Sequence, residues 1–141
     1  MSDEYYMKKA LDNAKKAFDL DEVPIGAIIV KNNKILASTF NRKELDNIAT
    51  YHAEVLAINE ACKKLNTWHL EDCVLYTTVE PCLMCTGAII QSRISRVVYG
   101  TKNDTFGYLS RINNMKIDIT KNVLEKECKV ILSSFFQKKR N

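Results

Sequence analysis

Residues 25–30 read Ile-Gly-Ala-Ile-Ile-Val, a continuous and mostly β-branched run of strand length. Such a strand has no polar face to give to water, so the sheet it joins must be covered on both sides. Asn32-Asn33 follows, and then Lys34-Ile-Leu-Ala-Ser-Thr-Phe40. Asparagine tolerates positive φ, so the pair predicts a tight antiparallel hairpin.

The rest of the chain alternates helical and extended periodicities. Tyr6, Met7, Ala10, Leu11, Ala14, Ala17 and Phe18 recur at helical spacing and predict an amphipathic helix over residues 3–18 with a lysine-rich outer face. A second helix is expected over 52–65 and a third from Pro81 to about 91, proline being suited to the first helical turn. A last helix over about 122–137 carries the stripe Val123, Leu124, Cys128, Ile131, Leu132, Phe135 and Phe136. Strands are expected over 73–79, 94–100 and 116–120. A hairpin followed by alternating helix and strand predicts an α/β fold: a three-layer α/β/α sandwich on a five-stranded mixed sheet. The 4 Gly and 2 Pro mark no linker or repeat, so the 141 residues are expected to form one domain, 1–141.

Composition narrows the setting. No apolar run approaches the ~20 residues that cross a bilayer. The start, Met-Ser-Asp-Glu-Tyr-Tyr, has neither the basic opening nor the apolar core of a signal peptide, so a soluble cytoplasmic protein with no membrane partner is expected. Five cysteines, an odd number, fit metal binding or catalysis in a reducing compartment better than a disulfide framework. The net charge of +4 permits a polyanionic partner without demanding one.

Two short segments carry chemistry. One is His52-Ala-Glu54 at the start of the second helix, the other Pro81-Cys82-Leu-Met-Cys85 at the start of the third. Cys82 and Cys85 lie three residues apart in a first helical turn, so both sulfurs share a face near the positive end of the helix dipole. With His52 they form an S₂N set suited to zinc. The remaining candidates, Cys62, Cys73, Cys128 and His69, offer no second Cys-x-x-Cys, which leaves a coordination position for water. Water on zinc has its pKa lowered to roughly 7. Glu54 is then placed to take and deliver protons, provided that it and His52, two residues apart, both face the site from the first turn. Taken singly, Cys-x-x-Cys is also compatible with a redox pair, a structural half-site or packing. The two segments together, in this order, make the H-x-E…P-C-x-x-C arrangement of zinc nucleobase deaminases.

The chain resembles the cytidine deaminase-like superfamily, and within it the bacterial tRNA adenosine deaminases, from about Tyr5 to Arg140. The resemblance is carried by Glu22-Val-Pro-Ile-Gly-Ala27, Asn41, His52-Ala-Glu54, Leu75-Tyr-Thr-Thr-Val-Glu-Pro-Cys-Leu-Met-Cys-Thr-Gly-Ala88, Arg93-Ile-Ser-Arg-Val-Val-Tyr-Gly100, and the ending Phe135-Phe136 with Lys138-Lys-Arg140. It implies one Zn²⁺ per subunit on His52, Cys82 and Cys85, with Glu54 as proton shuttle. It also implies a flipped adenine held by Pro24, Ile25, Asn41 and the Ala53 backbone, attacked at C6 by hydroxide, with Glu54 protonating N1 and assisting loss of ammonia. The implied substrate is the wobble adenosine of a tRNA anticodon stem-loop, and the implied assembly is a homodimer whose RNA site spans both subunits.

Two segments depart from the family pattern. Where the family shows Gly-Ala-x-Asp-x-Lys-x-Gly, this chain reads Gly100-Thr-Lys-Asn-Asp-Thr-Phe-Gly107, with Asn103 at the aligned place and Asp104 beside it as the candidate RNA contacts. The loop between Ser110 and Ile117 is shorter than usual and lacks an Asn-His pair. Two other functions remain in view: a free-base deaminase acting on guanine or cytosine, and a non-catalytic RNA-binding module with a structural zinc.

Overall fold

The computed structural model describes residues 1–112 and 116–140. Its elements run α1 (Asp3–Asp19), β1 (Gly26–Lys31), β2 (Lys34–Phe40), α2 (Lys43–Asp46), α3 (Ala53–Leu65), β3 (Val74–Val79), α4 (Leu83–Ser92), β4 (Arg96–Thr101), a single 3-10 turn at Leu109–Arg111, β5 (Asp118–Thr120) and α5 (Glu125–Arg140). The sheet order is β2-β1-β3-β4-β5. β1 is antiparallel to both β2 and β3, whereas β3, β4 and β5 run parallel, so the sheet is mixed as expected.

Side-chain alternation along the strands builds two cores. Ala27 and Ile29 of β1, Leu75 of β3, and Val97 and Tyr99 of β4 face Ala53, Ala57, Ala61 and Ile89 of α3 and α4. Ile28 and Val30, Tyr76, and Val98 face Tyr6, Met7, Ala10, Leu11 and Ala14 of α1 and Cys128 of α5. Both faces are therefore dry, which is why the β1 sequence contains no polar alternate. The hairpin turn uses Asn32 and Asn33 at φ 50° and 61°, the positive values that a two-residue primed turn requires.

Two helix starts differ from the sequence expectation, and one short helix was not expected. Pro81 does not open α4. It lies before the helix, its carbonyl accepting from the Tyr108 amide at 3.0 Å. Cys82 is extended (φ −73°, ψ 179°) and bridges to Gly107, so the helix begins at Leu83. α5 begins at Glu125 rather than near 122, because Asn122 and Leu124 occupy left-handed conformations (φ 64° and 53°) that no helical turn includes. The short α2 has no apolar periodicity to announce it, and is held from outside by Glu22, as described below. The reading of a shortened 110–117 loop falls in part on residues 113–115, which lie outside the described residues. Among the described residues, no helix is long and apolar enough to cross a membrane.

At the sheet end distant from the cleft, Arg96 of β4 donates to both oxygens of Asp3 at 3.0 and 2.6 Å, and Tyr76 donates to the same carboxylate at 2.9 Å. The Arg96 guanidinium holds the Asp3 carboxyl below the usual carboxylate range. A depressed native pKa contributes stability above the unfolded value near 4, and that contribution disappears as pH falls through the native value. Replacing Arg96 with glutamine should therefore lower Tm at pH 7 by roughly 4 °C, for a loss of about 1 kcal/mol after allowance for partial exposure. The deficit should shrink as thermal melts are carried below pH 4. An undiminished deficit at that pH would assign the effect to lost packing.

Candidate active site

Because β1 runs opposite to β3, its first residues lie beside the last residues of β3, with Ala27 paired to Thr77 and Val30 to Val74. The entry to β1, the exits of β2 and β3, and the N-termini of α3 and α4 thus meet at one rim of the sheet. His52 is the N-cap of α3, in extended conformation (φ −75°, ψ 152°). Cys82 occupies the equivalent place on α4, and Cys85 follows within the first turn. This settles how residues two apart in sequence face one site: His52 is outside the helix and Glu54 inside its first turn, so the i, i+2 divergence of a mid-helix pair does not apply.

His52 Nδ1 lies 3.6 Å from Cys82 Sγ and 3.4 Å from Cys85 Sγ. A tetrahedral zinc with Zn–S of ~2.3 Å and Zn–N of ~2.0 Å separates its N and S ligands by ~3.5 Å, so the trio matches the spacing such an ion requires. Among the described residues this is the one cluster of three or more His, Cys, Asp or Glu ligand atoms with metal-binding spacing. Hydrogen bonding from Cys85, joined by His52, pulls the Cys82 thiol down to about 4, so it is a thiolate at neutral pH. Cys85 is pushed up by its neighbour's sulfur and by burial. The hydrogen bond to Cys82 raises His52. A divalent cation between the two sulfurs would deprotonate both, as coordinated thiols require.

Glu54 is 3% exposed, and its Oε1 has no hydrogen-bond partner among the described residues. Burial pushes its carboxyl up to about 7. A buried carboxylate oxygen without a donor is costly in a folded protein; here it sits beside the metal-ligand trio, where a polar molecule on the cation would supply the donor.

The cleft around this centre has a volume of 480 Å³ and has Asn41, Lys43, His52, Glu54, Glu80 and Asn103 among its polar lining, with Val23, Ile25, Phe106, Leu132 and Phe136 among its apolar walls. Ile25, Asn41 and Asn103 thus line the cleft together with His52, Cys82 and Glu54, while Cys85 is fully buried. Pro24 and Ala53 are buried and do not line it, and the Ala53 carbonyl accepts from Thr39 Oγ1 at 2.7 Å. Asp104 is exposed and outside the lining. Lys139 of the basic ending is paired with Asp21 at 2.6 Å on the surface.

Sequence reasoning gave no role to two acids that build the walls. Glu22, 1% exposed, accepts from the Glu44 and Leu45 amides of α2 and from Asn41 Nδ2, orienting the Asn41 carboxamide. Glu80, also 1% exposed, accepts from the amides of Asn103 at 3.3 Å and Ser110 at 2.8 Å. Each carboxylate fastens one loop by two backbone amides. Leu132 and Phe136, read in sequence as part of a core stripe, reach the cleft from α5. The signal for the acids was weak: charge in a sequence ordinarily means a solvated face.

The family model of the MafB19-like deaminases matches residues 1–140. The tRNA-specific adenosine deaminase of Bacillus subtilis (strain 168) is 43% identical over 146 residues, covering 98% of this chain and 91% of the relative. A solved structure from work on A-to-I editing by tRNA:A34 deaminases at the wobble position of transfer RNA is 34% identical at a TM-score of 0.86, covering 91% of this chain and 99% of its own. Guanine deaminase from Bacillus subtilis is 41% identical over a shorter match, 72% of this chain and 66% of its own, at a TM-score of 0.69. The chain belongs to the MafB19-like deaminases and, among them, to the family of the tRNA-specific adenosine deaminases.

Proposed function

We infer that this chain converts adenosine to inosine at the anticodon wobble position of tRNA, using zinc held by His52, Cys82 and Cys85 and protons moved by Glu54. The observation that carries the chemistry is the buried Glu54 carboxylate, whose Oε1 has no partner among the described residues, beside a trio of nitrogen and sulfur side chains with zinc spacing. The RNA substrate is supported by the full-length similarity to tRNA-specific adenosine deaminases. In the same reading the enzyme is a homodimer with one zinc per subunit, as the family resemblance implies.

When bound, zinc supplies Lewis acidity and makes water acidic enough to serve as a nucleophile at neutral pH. Glu54 takes a proton from that water and passes it to N1 of the purine as the C6–O bond forms. It then takes the remaining proton of the oxygen added at C6 and delivers it to the exocyclic nitrogen, so that the C6–N bond breaks with loss of ammonia as the C6 carbonyl forms. Asn41, fixed through Glu22, and the Val23–Ile25 wall orient the base, while the buried floor keeps bulk water from the reacting centre.

The guanine deaminase likeness favours a second reading, hydrolysis of a free base. Ammonia release should be measured in parallel on a wobble-adenosine stem-loop, guanine and cytosine, with the RNA product checked for inosine. We expect inosine from the stem-loop and negligible turnover of the free bases. Turnover of guanine with the stem-loop untouched would retain the zinc chemistry and remove the tRNA assignment.

A further inference from the structure

We propose that Phe106 is a stacking platform for an unpaired RNA base adjoining the target nucleotide, an inference that rests on the RNA reading above. Phe106 is 71% exposed, the most exposed aromatic side chain among the described residues. It nevertheless lines the same cleft as His52 and Glu54. Its position is a fixed one. Glu80 anchors the loop at Asn103 and Ser110, and Gly107 donates to the Asn103 carbonyl at 2.9 Å. Tyr108 donates to Pro81, and Gly107 bridges to Cys82. Gly107 itself leaves no room for a side chain, since a Cβ there would meet Glu80 Oε1 and the Asn103 carbonyl.

The side chain of Asn103 is engaged within the same loop. Its Oδ1 accepts from the amides of Thr105 at 3.2 Å and Phe106 at 3.0 Å. That acceptor therefore shapes the turn, and the loop offers the cleft an aromatic ring. A large apolar ring on a loop fastened at both ends cannot collapse inward to escape water. Phe136, 44% exposed, lines the same cleft from α5. Aromatic rings are the usual partners of splayed-out single-stranded bases, because every base has a π-face to stack. A base adjoining one inserted to the depth of Glu54 would lie at the rim, where Phe106 stands. Lys43 in the cleft lining and exposed Lys102 on the loop suit the accompanying phosphates.

The test uses zinc-loaded enzyme on the wobble-adenosine stem-loop and on two further stem-loops, each abasic at one neighbour of the target. Phe106→Ala should raise KM about tenfold, the lower range for loss of one base–aromatic stack, with kcat within twofold and zinc content and Tm unchanged. Phe106→Tyr should restore KM. In the wild type one of the abasic substitutions should cost a similar factor, and in Phe106→Ala that substitution should cost nothing further. Unchanged KM in Phe106→Ala, or abasic penalties equal in both enzymes, would overturn the proposal. A loss traced by sedimentation to dissociated subunits, and reversed at high protein concentration, would assign the ring to a second copy of the chain and overturn it as well. A wild-type enzyme that makes no inosine defeats the RNA reading, and the stacking proposal with it; an active wild type matched by Phe106→Ala defeats stacking alone.

Discussion

Glu54→Gln should lower kcat on the stem-loop by about 10³-fold, within the range of a lost general acid–base group, while zinc content stays at one ion per subunit. The carboxamide keeps the shape of the side chain and leaves His52, Cys82 and Cys85 intact, but it cannot accept a proton from water or return one to the base. The same substitution should raise stability, by about 1 kcal/mol, because it removes a buried charge-bearing group whose Oε1 has no partner. A variant that is inactive yet more resistant to heat is the signature of a residue kept for chemistry. Loss of zinc in its place would make Glu54 a ligand and remove its role as proton carrier. Undiminished turnover would move the proton transfers to another group and remove the role given to Glu54.

The second large effect concerns the ligands. Cys85 is fully buried, and Cys85→Ala should abolish zinc binding and with it all detectable deamination. Because the ion binds the folded chain and not the unfolded one, its loss also removes linked stability; at a thousandfold excess over Kd that is about 4 kcal/mol. Treating the wild type with a chelator should accordingly lower Tm by roughly 14 °C, and added zinc should restore both Tm and turnover. The variant should show the lowered Tm without response to zinc. A variant that retained stoichiometric zinc would require a different ligand set, and Cys62, Cys73 and Cys128 do not supply one: none joins a cluster of three ligands among the described residues.

The layers of the fold and the places of its strands along the chain were legible because apolar periodicity reports burial directly: β1 has no polar alternate, and both of its faces are covered. The order in which the strands pair was not, because pairing is set between distant segments. The ligand trio was legible because residue type limits metal chemistry strongly. Helix starts were less so. Cys82 and His52 are caps, extended residues whose conformation is set by partners elsewhere, Gly107 in the case of Cys82. The four-residue α2 depends on Glu22, more than twenty positions away, and no local pattern records that dependence. Glu22 and Glu80 were hidden for a related reason, since a sequence shows that a residue is charged but not which amides will enclose it. Phe136 was read with its helix, yet the helix turns that ring toward the cleft and keeps Phe135 in the core.

The bridge between Cys82 and Gly107 joins a metal ligand to the loop that carries Asn103 and Phe106. Two binding events therefore share one piece of backbone. Whatever free energy the ion contributes to ordering that loop, RNA held by the loop must return to the ion in equal measure, since the cycle of four states closes. On the proposed function, a metal so held would be an effector of substrate affinity, and the substrate a guard against loss of the metal.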